Sequence, residues 1–310
     1  MIKRTLYFGN PAYLSLVNKQ LMIRLPEIEK ADNISEIIKE KAVRTIPIED
    51  VGVVMLDNKQ ITITQALLEA LMLNNTAVIN CDSTHMPIGL LMPLSANTLQ
   101  NERFRDQIEA SLPLRKQLWQ QTVQAKIRNQ AAILAKNTLS PVDNMMKWAN
   151  DVKSGDTENL EARAAVYYWK SVFVRIPDFI RSREAPPPNH LLNYGYAILR
   201  AITARALVAS GMLPLLGIHH HNRSNAYCLA DDIMEPYRPY VDQIVIDIVN
   251  SGLDYTELTT ELKTTFLAIP TLDVSIDNIQ RPLMTAVSQT TASLYKCFKG
   301  ISRKISYPTL

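Results

Sequence analysis

The hydrophobic pattern of the chain changes period near residue 93, and this constrains the fold more than any single motif. Before that point apolar residues come in short runs broken by turn residues, which marks strands. Residues 2–8 form a run ended by Gly9-Asn10-Pro11. Residues 13–17 and 20–25 flank Asn18-Lys19, and residues 51–56 and 61–64 flank Asp57-Asn58-Lys59, so each pair predicts a hairpin. Ala66, Leu67, Ala70, Leu71 and Leu73 recur at helical spacing and predict a helix over 65–73. Residues 77–79 and 88–92 return to strand character. Beyond the mostly polar joint at 93–98, helix-period segments follow at 102–137 (interrupted near Pro113), 158–174, 191–210 and 241–249. Segment 191–210 has Arg200 and Arg205 as its charges, belongs inside a bundle and stops at Gly211, after the extended loop forced by Pro186-Pro187-Pro188. The expected class is α+β multidomain. A small N-terminal β-sandwich domain (1–93) and a linker (94–100) precede a larger all-α domain (101–310).

Composition narrows the class. Apolar residues make up 47% and charged residues 20% of 310, which excludes a disordered tail, a collagen-like repeat or a coiled-coil rod. The longest apolar stretch, 206–218, holds Gly211 and Pro214 and falls short of the ~20 residues a spanning helix needs. No apolar run follows the first charges, so no secretory signal is expected. Cys81, Cys228 and Cys297 are scattered and form no CxxC pair, which argues against a disulfide framework or thiolate zinc and for reduced thiols in the cytoplasm. The net charge is +3. Residues 1–95 hold 9 basic and 10 acidic side chains, leaving 24 of the 33 and 20 of the 30 for the rest, a mild excess that permits a polyanionic partner without requiring one.

The densest ligating cluster is GIHHHNRSN (217–225) followed by LADDIMEPYRP (229–239). Consecutive histidines cannot all face one way, so one or two of His219, His220 and His221 would converge on an ion; a solvated loop with one satisfied histidine is the alternative. Asp232 and Glu235, three apart, share a face on a helical turn and repel unless a cation, Arg238 or a helix N-terminus answers them. Pro236 places Glu235 at a break between helices. Upstream, Glu161 heads a stripe through Ala165, Tyr168 and Val172, an expensive place for a carboxylate without a partner. First-turn compensation of the helix dipole is the alternative there, a task that suits neighbouring Glu158. Most Lys and Arg over 107–136 read as a solvated helical face, and Trp119, Trp148 and Trp169 as core.

Glu161, then His220 59 residues on and Glu235 15 further, resembles a known pattern. The carrying segments are 159–173 (NLEARAAVYYWKSVF), 189–199 (NHLLNYGYAIL), 217–225 and 229–239. In order and spacing they resemble the family of CRISPR-associated protein one, the integrase-nuclease of the spacer-acquisition complex. The LADDIMEP form suggests the lineage that accompanies single-protein, guide-directed effectors.

The resemblance implies a metal-dependent DNA endonuclease and integrase acting in antiviral defence. Glu161, His220 and Glu235 would be catalytic and would bind Mg²⁺ or Mn²⁺, with Asp232 behind them. The 3′-hydroxyl of a captured DNA fragment would attack a strand at the edge of the CRISPR repeat. Phosphate contacts would come from Arg163, Arg223 and Arg238, with Lys296, Lys299, Arg303 and Lys304 as further candidates unless that tail is merely a solvated end. Implied partners are double-stranded DNA, a second copy of the chain through the β-domain, and a dimer of a small ferredoxin-like CRISPR-associated protein; no membrane is involved. A stand-alone nuclease and a non-catalytic DNA scaffold are the alternatives. A zinc hydrolase is disfavoured because the histidines lack HExxH spacing.

Overall fold

A computed structural model describes residues 3–31, 35–94 and 96–310. Ile2 of the first expected strand and Ser95 of the expected linker lie outside the described residues. The chain divides into two compact units, Met1–Ala96 and Asn97–Leu310.

In the first unit β1 (Arg4–Phe8), β2 (Ala12–Val17) and β3 (Gln20–Arg24) lead through α1 (Pro26–Glu29) and α2 (Glu36–Ala42) to β4 (Arg44–Pro47). After these come β5 (Val51–Leu56), β6 (Ile61–Ile63), α3 (Gln65–Leu73), β7 (Ala77–Cys81) and β8 (Pro87–Leu91). They build two four-stranded sheets, β1-β5-β7-β8 and β4-β3-β2-β6. Phe8, Leu14, Leu21, Val51, Val54 and Val78 meet Leu67 and Leu71 of α3 in one core. The β2–β3 hairpin forms as expected, with Asn18 and Lys19 at φ 49 and 60, the left-handed pair that matches strand twist.

The second expected hairpin does not form. β5 pairs in parallel with β1 and β7, while β6 crosses to the other sheet beside β2. The reason lies in the two segments themselves. Val51–Leu56 is buried at every position but the last, the signature of a central parallel strand rather than a hairpin arm. Asp57 is buried, accepts the Tyr7 hydroxyl at 2.5 Å and faces His85 Nδ1 at 2.9 Å, and the Asn58 amide donates to the Gly9 carbonyl at 3.1 Å. The would-be turn is thereby tied to the end of β1 and directed away from β5.

The second unit contains α4 (Gln100–Ile108), α5 (Leu112–Asn137), α6 (Asp143–Asp151), α7 (Leu160–Val172) and α8 (Asn189–Ala209). Then follow α9 (Cys228–Met234), α10 (Arg238–Ser251), α11 (Thr260–Phe266) and α12 (Leu283–Phe298). The interruption expected near Pro113 separates α4 from α5, with Pro113 in the first turn of α5 and the Ser111 hydroxyl accepting from the Leu114 amide at 3.4 Å. At 26 residues α5 is about 39 Å long. It packs against α6, α7, α10 and the turn at 235–237. Segment α8 is buried along most of its length and is followed by Gly211 at φ 71.

This unit is not all-α. β9 (Asp273–Ile276), β10 (Ile279–Pro282) and β11 (Pro308–Thr309) form a three-stranded antiparallel sheet in the order β10-β9-β11. Strands of four residues or fewer are too short to establish a period, and the turn Asp277-Asn278, at φ 50 and 61, is their local signal. Among the described residues no helix is long and apolar enough to cross a membrane.

Candidate functional site

Helix α5 builds the site from one face. Trp119, Thr122, Lys126 and Asn129 follow each other at spacings of 3, 4 and 3, and all four are buried. The Lys126 ammonium donates to Glu161 Oε1 and lies 2.7 Å from Glu235 Oε2. That second contact is a close ion pair inside the protein, and the Lys126 ammonium is the group that answers Oε2. Glu235 Oε1 faces the Arg238 guanidinium at 3.1 Å. Burial pushes the Glu235 carboxyl up, but Arg238 and Lys126 outweigh it and hold it below the ordinary carboxylate range. Burial likewise pulls the Lys126 ammonium down, and the two carboxylates more than reverse that. Asn129, a turn further along, donates to the Pro236 and Pro308 carbonyls at 2.7 and 3.1 Å.

Glu161 stands in the first turn of α7. The Asp156 carboxylate caps that turn, accepting from the Leu160 and Glu161 amides at 2.9 and 3.0 Å. Glu158, expected to serve the helix end, instead pairs with Lys153 in solvent, because Asp156 already holds the free amides. Glu235 opens the 3₁₀ turn Glu235–Tyr237 between α9 and α10, the break that Pro236 dictates.

His220 is positioned by Asp232. This fully buried carboxylate accepts from the Ile218 and His219 amides at 2.7 and 2.9 Å, from the His220 amide at 3.3 Å and from His220 Nδ1. With Nδ1 engaged, Nε2 is the nitrogen left for a ligand. The bond to Asp232 raises the His220 pKa against the effect of burial. Gly217 makes the wrap possible, since a Cβ there would collide with the His220 carbonyl oxygen and sit 2.8 Å from Asp232 Oδ2. His219 stacks flat on Trp119, with ring centroids 4.1 Å apart, and His220 meets the same indole edge-on at 5.7 Å. Trp119 is core, as expected, and is also the platform under the histidine loop. His221 is exposed.

The structure thus sets Glu161 and Glu235 on one ammonium, while His220 and Glu235 lie within each other's electrostatic influence. Among the described residues no three His, Cys, Asp or Glu side chains lie together as an ion-holding group. Two carboxylates and an imidazole are donors that Mg²⁺ or Mn²⁺ accepts, and a buried Glu235 Oε2 already paired with a cation fits such an ion. The like charges of Asp232 and Glu235 are answered separately, the first by backbone amides and the second by Lys126 and Arg238.

Of the expected phosphate contacts, Arg163 and Arg223 are exposed. Arg238 is turned inward: it pairs with Glu235 and lies over the Tyr196 ring, 4.7 Å from its centroid, because the buried glutamate needs a counter-charge. Behind it the buried Asp242 accepts the Tyr168 hydroxyl at 2.9 Å and that of Tyr196. Burial pushes this carboxyl up to about 6 against the two hydroxyl bonds. In the tail, Lys296, Arg303 and Lys304 are exposed, and Lys299 pairs with Glu102 at 2.7 Å.

Lys126 belongs to the run of basic residues over 107–136 expected to be solvated, and the structure buries it. The available signal was its place between Val123 and Ile127 on a stripe with Trp119, where an unpaired ammonium would be costly.

The family model described as CRISPR associated protein Cas1 matches residues 14–272, a span that contains Glu161, His220 and Glu235. The chain belongs to the Cas1 family. The Cas1 protein of Neisseria meningitidis serogroup C, named a CRISPR-associated endonuclease, is 34% identical over 295 residues, 94% of this chain and 91% of the relative. Among solved structures, a casposase bound to integration product superposes with a TM-score of 0.76 at 19% identity, covering 98% of this chain and 92% of the casposase. A chain of a Cas6-RT-Cas1–Cas2 complex gives 0.73 at 21% identity, with 98% of this chain and 36% of that one covered. At these identities the two structures speak for a shared Cas1-like fold.

Proposed function

We propose that this Cas1-family chain is a metal-dependent DNA endonuclease and integrase that inserts foreign DNA fragments into a CRISPR array. The observation that carries this is the meeting of Glu161 and Glu235, from elements far apart in sequence, on one ammonium, with His220, held by Asp232, inside the electrostatic reach of Glu235. Relatives named endonuclease and a casposase holding its integration product support the same chemistry.

Glu161, Glu235 and His220 Nε2 would hold a Mg²⁺ or Mn²⁺ ion. Bound there, such an ion supplies the Lewis acidity that polarises a phosphoryl oxygen and offsets charge in the transition state. The chain's own residues do the rest. Asp232 fixes the His220 ring, Arg238 keeps Glu235 ionised inside the protein, and Arg163 and Arg223 offer exposed charge to the DNA backbone. A 3′-hydroxyl entering the site as nucleophile gives transesterification, whereas water gives nicking, so both activities share one centre. In this reading residues 1–93 form a β-sandwich dimerisation domain, 94–100 a linker and 101–310 the catalytic domain. The partners are double-stranded DNA from the captured fragment and the repeat, a second copy of the chain, and the dimeric small CRISPR-associated protein suggested by the Cas1–Cas2 assembly. The setting is the cytoplasm.

The test is strand joining of a labelled 3′-OH fragment into a repeat duplex with Mn²⁺. Glu161→Ala, His220→Ala and Glu235→Ala should each abolish the joined, longer product while circular dichroism and oligomeric state stay near wild type. Full joining by all three variants would overturn the site. Products that are only shorter would make the wild type a stand-alone nuclease.

A further inference from the structure

We infer that Lys126 is an internal counter-cation that occupies the place between Glu161 and Glu235 and must withdraw for a divalent ion to bridge them. The inference rests on the metal-dependent reading above and deepens it. The ammonium comes from neither helix that supplies the carboxylates; α5 delivers it from a third direction, buried beside Val123 and Ile127. It donates to Glu161 Oε1 and pairs with Glu235 Oε2 at 2.7 Å, so a single ammonium bridges the two carboxylates inside the protein. An ammonium has three donors and a flexible four-carbon stem; it can hold two carboxylates in register and also move aside.

Charge counting gives the exchange a direction. Glu161 and Glu235 are balanced by Lys126 and Arg238, and the four sum to zero. Replacing the ammonium with a monovalent ion leaves that sum unchanged. A divalent ion raises it by one unit, the direction that favours an approaching phosphodiester. Lys126 therefore keeps the ion-free site closed and neutral, and selects for double charge.

The experiment is calorimetric titration of the full chain with Mn²⁺, comparing wild type, Glu235→Gln and Lys126→Met. Wild type should bind, Glu235→Gln should lose the site, and Lys126→Met should bind at least ten-fold more tightly. In chelator the methionine variant should melt below wild type, and saturating Mn²⁺ should close that gap. Equal or weaker Mn²⁺ binding by Lys126→Met, with wild-type binding still lost in Glu235→Gln, sinks this inference and leaves the metal site standing. No binding by wild type removes the metal reading and this inference together. Should Lys126→Met fail to fold, wild type decides: amine acetylation followed by mass spectrometry should modify Lys126 several-fold more with Mn²⁺ than in chelator. Equal modification in both conditions overturns the proposal.

Discussion

Asp232 is fully buried and acts on the loop that wraps it. One buried carboxylate gathers three consecutive amides and an imidazole nitrogen, so the orientation of His220 depends on a side chain twelve residues away. Replacing it with Asn removes the charge and offers a single acceptor oxygen for those donors. Asp232→Asn should therefore weaken Mn²⁺ binding by roughly 10–100-fold, the usual cost of losing a partner that orients a metal ligand, with calorimetry as the check. Unchanged affinity would show that the loop backbone alone fixes the ring. The spacing of Glu161, His220 and Glu235 singles them out in the sequence, and the structure brings the two glutamates onto one ammonium. Lys126 was hidden, since its partners lie on other elements and no motif frames it. Asp156 was hidden too: a cap four residues before its helix competes on paper with Glu158, and only the local turn decides between them.

Among the elements, α7, α8 and α10 meet at Asp242, where Tyr168 and Tyr196 donate to a carboxyl sealed from solvent. Its pKa is raised from 3.8 to about 6. A raised acid pKa means that the folded state favours the protonated form. Asp242 therefore contributes most to stability below pH 4, loses that contribution as pH climbs from about 4 to 6, and is flat above. A shift of about two units corresponds to roughly 3 kcal/mol. Denaturant unfolding of wild type and Asp242→Asn should thus show their difference in stability changing by about that amount across the window, in favour of the variant as pH rises. A difference that stays constant from pH 4 to 6 would contradict the shift. Helices with strong patterns were readable: α3 and α8, and the α4–α5 break at Pro113. Short or exceptional elements were not. β5 looked like a hairpin arm because the sequence does not say which partner a fully apolar strand will take, and β9 to β11 are too short to carry a pattern.

At the scale of the whole molecule, a net charge of +3 supplies little general attraction to DNA, so the proposed DNA binding would rest on a few placed cations. Arg223 is one candidate, exposed on the histidine loop. Arg223→Ala should weaken duplex binding and make the plot of log affinity against log salt shallower by about one, the expectation for one phosphate contact. An unchanged slope in a filter or anisotropy assay would remove Arg223 from the interface. The far C-terminal segment has a different importance. Tyr307 lies 2.7 Å from the Thr122 hydroxyl, and the Pro308 carbonyl shares the Asn129 amide with that of Pro236, immediately after Glu235. These residues leave the ribosome some 180 positions after the helix they fasten. A nascent chain can therefore place its lysine and both carboxylates early, yet the candidate site gains these contacts only when synthesis has passed residue 308.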